Sequence, residues 1–189
     1  MRYGAIAMIF IGMVFPVFAY TNTILMVVPN ADFRDEELLL PKKIFEEAGY
    51  KVEIAAAKQG KAKGVLGAEV TVERTLDQIQ VEAYDALVLV GGPGAQVYWD
   101  DSRLHHLVQA MFKRNKVIGA ICLAPVSLAN AGILQDKKAT VWHSEAKRLG
   151  LGGAQYLSDD VVSDGKVITA NGPQAAEQFA KKFLEELKK

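Results

Sequence analysis

The sequence predicts a three-layer α/β/α sandwich, in which helices cover both faces of a mostly parallel β-sheet. Short apolar runs, of the kind buried on both faces of a parallel sheet, recur along the chain. Segments with apolar residues at helical spacing alternate with these runs. The chain has 189 residues, of which 50% are hydrophobic, and this suits a single domain with a sizeable core.

The chain from residue 23 begins with a predicted βαβ unit. Residues 23–29 are a continuous apolar run and form the first strand. Residues 35–48 carry apolar side chains at helical spacing, and Gly49 ends this helix. Residues 51–57 form the second strand, so the three segments make one parallel crossover unit.

The later elements follow from the same patterns. A buried run predicts each central strand, an amphipathic repeat predicts each helix, and the Asp-Gly pair at residues 164–165 predicts a hairpin turn. The predicted elements are a side strand at 68–72, a short helix at 75–81, strands at 86–90 and 117–121, helices at 102–115 and from 126, a strand at 139–142, a hairpin at 161–169 and a closing helix at 173–187.

A single cysteine lies where a strand passes directly into a helix. The apolar run before Cys122 and the helical spacing after it predict a strand, a sharp turn and a helix, with small neighbours at Ala120 and Ala124. Such a nucleophile elbow would expose the sulfur, and the helix dipole would favour the thiolate. The alternative is that Cys122 is a small buried hydrophobic residue.

A glycine-rich loop follows the strand at residues 86–90. Gly91 and Gly92 let backbone amides approach a ligand closely, but the spacing matches neither a dinucleotide-binding fingerprint nor a phosphate loop. An oxyanion site and a simple turn remain as interpretations. Because Cys122 also lies at the carboxyl end of a strand, we favour the oxyanion site.

The first residues have the pattern of an export signal. A short basic start precedes an apolar stretch at residues 4–18, and Val17-Phe18-Ala19 fits a cleavage site. We therefore predict a signal peptide at residues 1–19, a single domain at residues 20–189, and a periplasmic or secreted protein without stable membrane insertion after cleavage. The alternative is an uncleaved N-terminal membrane anchor.

Composition narrows the classes of partner. The formal net charge is zero, so nucleic acid is not expected as a partner. One cysteine allows no internal disulfide, and the three histidines show no zinc-site spacing, so no metal or other cofactor is predicted.

Several motifs together resemble those of one family. They are FRDEELLLP at residues 33–41, VGGPGAQ at 90–96, AICLAP at 120–125, TVWH at 140–143 and TANGP at 169–173. In this order they resemble the DJ-1/PfpI superfamily, over nearly the whole chain after the leader. The resemblance implies a flavodoxin-like fold, a homodimer, and a cysteine on a nucleophile elbow beside a glutamate of the first helix.

The resemblance also assigns site residues. Glu37 matches the family's glutamate because it lies one helical turn before Pro41, and a buried carboxyl group there would be protonated and hydrogen-bonded to sulfur. His143 matches a histidine near the cysteine in DJ-1-like members and would act as general base or acid. The amides of Gly92 and Leu123 would form the oxyanion pocket.

Asn171 stands where DJ-1-like proteins often carry arginine.

Three functions are consistent with these residues. The first is glyoxalase or deglycase-type chemistry on a reactive carbonyl compound such as methylglyoxal, in which Cys122 forms a hemithioacetal without an external cofactor. The second is a non-catalytic redox sensor or holdase, in which an oxidant converts Cys122 to a sulfinate. The third, a cysteine peptidase or amidase, is disfavoured because Leu123 occupies the position of the histidine that follows the cysteine in those enzymes.

Overall fold

The computed structural model describes residues 22–189, so the predicted signal peptide lies outside the described residues. Its strands are β1 (Thr23–Val27), β2 (Ala31–Phe33), β3 (Lys51–Ala56), β4 (Gly60–Gly64), β5 (Glu69–Val72), β6 (Arg74–Thr75), β7 (Ala86–Leu89), β8 (Val117–Ile121), β9 (Lys138–Ala139), β10 (Gln155–Tyr156), β11 (Val161–Asp164) and β12 (Val167–Ala170). Its α-helices are α1 (Asp35–Glu47), α2 (Ser102–Lys113), α3 (Pro125–Asn130), α4 (Ala146–Leu151) and α5 (Ala176–Leu187).

The central sheet has seven strands in the order β11-β12-β8-β7-β1-β3-β6. Every neighbouring pair is parallel except β11 and β12, which form the predicted hairpin around Gly165. This confirms the predicted α/β architecture with a mostly parallel sheet.

Helices cover both faces because successive residues of each buried strand point to opposite sides. In β1 and the residue after it, Ile24, Met26 and Val28 belong to the core under α1 and α5, whereas Leu25 and Val27 belong to the core under α2 and α3. Both faces of the central sheet are therefore buried, which explains the continuous apolar runs in the sequence.

Several predicted elements are wrong in detail. The predicted strand at 139–142 is only the short β9, which pairs with β10 outside the central sheet. The predicted helix at 75–81 is two short 3-10 turns, Leu76–Gln78 and Val81–Ala83. The sequence patterns did not predict β2 and β4, which join β5 in a small side sheet, the short strands β6 and β10, or the helix α4. Each of these elements is short, and short elements carry little periodic signal.

No helix among residues 22–189 is long and apolar enough to span a membrane.

Candidate active site

Cys122 lies at the turn between β8 and α3, as the pattern predicts for a nucleophile elbow. Its φ angle is 63°, in the left-handed region that non-glycine residues rarely adopt. Two hydrogen bonds hold this backbone: the Cys122 amide donates to the Ala170 carbonyl at 2.9 Å, and its carbonyl accepts from the Trp142 amide at 2.9 Å. The strained turn is thus fixed from β12 on one side and from the segment after β9 on the other.

The sulfur faces two backbone amides. The N–H groups of Gly92 and Leu123 face the Cys122 side chain, and they lower the pKa of its thiol. Gly91, which the sequence analysis grouped with them, has a different neighbour, because its amide faces the Glu37 carboxyl group. Two of the three predicted oxyanion amides therefore surround the sulfur, and the third contacts the acid.

Gly91 and Gly92 are required by close packing. A Cβ atom on Gly91 would lie 2.5 Å from Glu37 Oε2 and 2.6 Å from Cys122 Cβ. Gly92 has a φ angle of 95°, and a Cβ atom there would collide with the backbone amide of Arg34. The loop after β7 can therefore lie against the acid and the thiol only because it carries no side chains at these positions.

Glu37 lies in the first turns of α1 and is fully buried beside the thiol. Neither carboxyl oxygen completes a hydrogen bond of normal geometry with the described residues, although the Cys122 thiol and the Gly91 amide face the group. Burial raises the pKa of this carboxyl to about 8, and the nearby thiol, Arg34 and Gly91 amide only partly oppose the effect. Glu37 is therefore mostly protonated at neutral pH.

The thiol is uncharged as well. Burial, followed by the charge of Glu37, raises the pKa of the Cys122 thiol to about 12 against the opposing effect of the two amides. The predicted stabilisation of the thiolate by the helix dipole is therefore wrong. The helix α3 has only six residues, and Cys122 is 8% exposed, so desolvation of the sulfur outweighs the dipole.

A cavity of about 280 Å³ opens onto Cys122 and Glu37. Apolar side chains of Leu123, Trp142 and two prolines form part of its wall. Its polar wall consists of Arg34, Gln96, Ser144 and Glu145. Of these wall residues, Leu123 alone has a role predicted from the sequence, through its backbone amide. A larger groove between β11 and α5 is lined mostly by glutamate, glutamine and lysine side chains and contains neither the cysteine nor a buried acid.

The structure does not bring His143 into this cavity. Trp142, one residue earlier, lines the wall, whereas His143 is exposed and begins a 3-10 turn. The predicted strand ends at Trp142, but β9 already ends at Ala139. The alternation of side chains along a strand therefore could not predict which of Trp142 and His143 faces the cavity.

Asn171 lies outside the cavity lining, and its side chain donates to Asp160 at 2.9 Å.

Among residues 22–189, no group of three or more histidine, cysteine, aspartate or glutamate side chains is arranged to hold a metal ion.

Fold and site together define a flavodoxin-like α/β protein with a buried cysteine–carboxyl pair at a nucleophile elbow. The DJ-1/PfpI family model matches residues 22–186. The chain belongs to the DJ-1/PfpI family.

The solved structures agree with this assignment. A ThiJ/PfpI domain protein from Brachyspira murdochii has a TM-score of 0.87 and 34% identity, covering 88% of this chain and 96% of that one. One relative by sequence, the uncharacterized protein MJ0967 of Methanocaldococcus jannaschii, is 44% identical over 88% of this chain and 82% of its own length.

Two more distant relatives have names that state an activity. Deglycase PH1704 of Pyrococcus horikoshii is 29% identical over 83% of this chain and 95% of its own. The glutathione-independent glyoxalase DJR-1.2 of Caenorhabditis elegans is 28% identical over 89% of this chain and 90% of its own.

Proposed function

We propose that this protein is a cofactor-independent, cysteine-dependent enzyme of the glyoxalase or deglycase type, acting on small reactive 2-oxoaldehydes such as methylglyoxal. One observation carries the proposal: the Cys122 thiol lies beside a fully buried, protonated carboxyl group, and both face a cavity of small-molecule size. The names of two relatives, a deglycase and a glyoxalase, support the same substrate class.

The buried pair can form the hemithioacetal without an external base. Sulfur attacks the aldehyde carbon, and the aldehyde oxygen takes the proton of the Glu37 carboxyl group. Glu37 then takes the proton that the thiol loses. The carbon–sulfur bond has formed, the carbonyl π-bond has broken, and Glu37 is protonated again. The amides of Gly92 and Leu123 lie near the sulfur, where they stabilise negative charge as it develops.

Conversion of methylglyoxal to lactate tests this proposal. We expect the wild-type protein to produce lactate without glutathione, and Cys122→Ser to produce none. Glu37→Gln should be slower by about 10²- to 10⁴-fold, the usual contribution of a positioned acid. Glu47→Gln is the matched control, because Glu47 lies on the same helix but is exposed, and it should keep full activity. Lactate formation by Cys122→Ser would place the chemistry elsewhere.

The second candidate function, redox sensing through Cys122, is favoured by the same buried acid. A protonated Glu37 would donate a hydrogen bond to a sulfinate oxygen and stabilise the oxidised cysteine. Two measurements distinguish the two functions. A sensor gains the mass of two oxygen atoms after peroxide treatment and does not consume methylglyoxal. The enzyme consumes methylglyoxal when its cysteine is reduced.

We also propose a homodimer, and an exposed apolar patch supports it. Leu39, Val65 and Leu66 are 44%, 38% and 62% exposed. The Leu66 amide donates to the Asp35 carboxylate at 2.8 Å, and Leu39 lies one helical turn after Asp35, so the two leucines lie at the same end of α1. Light scattering should give a dimer for the wild-type protein and a monomer for Leu66→Asp; a wild-type monomer would refute the proposal. Export stays a prediction from the sequence.

A further inference from the structure

The proposed reaction needs a base that the cysteine–carboxyl pair does not supply. After the hemithioacetal forms, Glu37 is protonated again, and the proton on C1 of the adduct must still be removed. His143 lies outside the cavity lining. The remaining acid in the wall of the cavity is Glu145, whose side chain is only 16% exposed.

We propose that Glu145 is the general base that removes the C1 proton of the hemithioacetal on Cys122. This inference rests on the proposed function and deepens it.

Backbone hydrogen bonds connect Glu145 to the cysteine through Trp142. The Trp142 amide donates to the Cys122 carbonyl at 2.9 Å, and the Glu145 amide donates to the Trp142 carbonyl at 2.8 Å. The first bond also fixes the peptide plane between Cys122 and Leu123, and therefore the direction of the Leu123 N–H group. The turn that carries Glu145 is thus fixed relative to the sulfur and to one of its amide donors.

The carboxylate itself is oriented by two donors. Arg148 Nε lies 2.9 Å from Glu145 Oε2, and Ser144 Oγ donates to Oε1 at 2.9 Å. The two donors engage both carboxylate oxygens and hold the carboxylate in one orientation.

The arginine is held in turn by the elbow. The Arg148 guanidinium lies over the Trp99 ring, 4.9 Å from its centroid. The Trp99 indole N–H donates to the Leu123 carbonyl at 3.1 Å. The contacts therefore form a closed circuit from Cys122 through Trp142, Glu145, Arg148 and Trp99 to Leu123. Arg148 and Trp99 are positioning residues in this scheme.

The proton transfers balance with these two carboxyl groups. Glu145 takes the C1 proton, the C–H electron pair forms the C1=C2 bond, and the C2 oxygen takes the Glu37 proton to give an enediol. Glu145 then returns its proton to C2, while the C1 hydroxyl returns a proton to Glu37. The product is the lactoyl thioester of Cys122, and water hydrolyses it to lactate and the free thiol.

The test separates adduct formation from turnover in Glu145→Gln. We expect lactate formation to fall by about 10²-fold or more. Alkylation of Cys122 by iodoacetamide, and the mass gain of one methylglyoxal on the protein, should stay within about twofold of wild type, because the fixed turn and the Cys122–Glu37 pair remain. Glu145→Asp should recover part of the turnover, and Glu47→Gln should leave every readout unchanged.

Each other outcome contradicts the inference in a recognisable way. If Glu145→Gln makes lactate at the wild-type rate, Glu145 is not the base. If alkylation and adduct formation fall together with turnover, its role is structural. If the wild-type protein itself makes no lactate, the proposed function fails and this role fails with it.

Discussion

The raised pKa of Glu37 should be visible as a pH dependence of stability. In the folded protein burial raises this pKa from its ordinary value of 4.5 to about 8. Because the native state holds the proton to higher pH than the unfolded state does, protonation favours folding. This contribution is fully present below pH 4.5 and is lost as the pH rises through 8.

The magnitude follows from these two values. One unit of difference in pKa corresponds to about 1.36 kcal/mol, so between pH 4 and pH 7 the wild-type protein should lose about 3 kcal/mol of unfolding free energy through Glu37 alone. Glu37→Gln removes the titration. The buried amide has a cost of its own, but this cost does not change with pH.

Urea unfolding at a series of pH values measures the effect. The quantity of interest is the unfolding free energy of Glu37→Gln minus that of wild type, because every other titrating group is common to both proteins and cancels. We expect this difference to rise by about 3 kcal/mol from pH 4 to pH 7, which corresponds to a gain of about 6–12 °C in relative Tm for a chain of this size. Glu47→Gln should show no such rise. A difference that stays constant over this range would mean that Glu37 ionises at its ordinary pKa, and the assignment of a neutral acid beside the thiol would be refuted.

Two further predictions concern the same pair. Gly91→Ala places a methyl group 2.5 Å from Glu37 Oε2 and should lower the free energy of unfolding by about 1–3 kcal/mol. Gly150→Ala is the control, because no neighbouring atom lies within 4 Å of the added methyl group, and it should be neutral or slightly stabilising. Equal thermal midpoints in the two variants would contradict the close packing at Gly91. Iodoacetamide alkylation of Cys122 should rise with pH without a plateau below about pH 9, because the thiol stays protonated there. Above pH 8 Glu37→Gln should react faster than wild type, since it removes the carboxylate charge that raises the pKa of the thiol. A plateau already reached at pH 6 in the wild-type protein would show a thiolate at rest.

Much of the fold could be predicted because the central strands are buried on both faces. Strands such as β1 and β7 are continuous apolar runs, and the amphipathic patterns of α2 and α5 are long enough to be unambiguous. Of the side sheet, only β5 could be predicted, as the side strand at 68–72. Its strand β4 has the sequence GKAKG, which has no strand propensity and pairs only because β2 and β5 lie beside it.

The residues of the site also differ in how far the sequence predicts them. Cys122 and the glycine loop carry local signals, because a sharp strand-to-helix turn and a close approach of backbone to side chain require particular residue types. Glu37 was predicted only through the resemblance to the family, since three acidic residues at the start of a helix are typical of a solvated first turn. Glu145 carries no such signal. It has the sequence context of an ordinary acid in the first turn of a surface helix, and only the tertiary structure shows that it lines the cavity and that Arg148 connects it to Trp99.

The difference between Trp142 and His143 shows why reactive chemistry is hard to assign from sequence here. A shift of one residue along an irregular segment moves a side chain from the cavity to solvent, and the segment after β9 has no periodic pattern to fix that choice. With tryptophan at the wall, the cavity contains no imidazole to shuttle protons, and the two groups that face each other at its base are both neutral at rest. A site of this kind can add a thiol to an aldehyde through an internal proton exchange, but it completes an isomerisation only if a third group on the wall accepts a proton from carbon. The proposed reaction therefore depends on the cavity wall as much as on the cysteine.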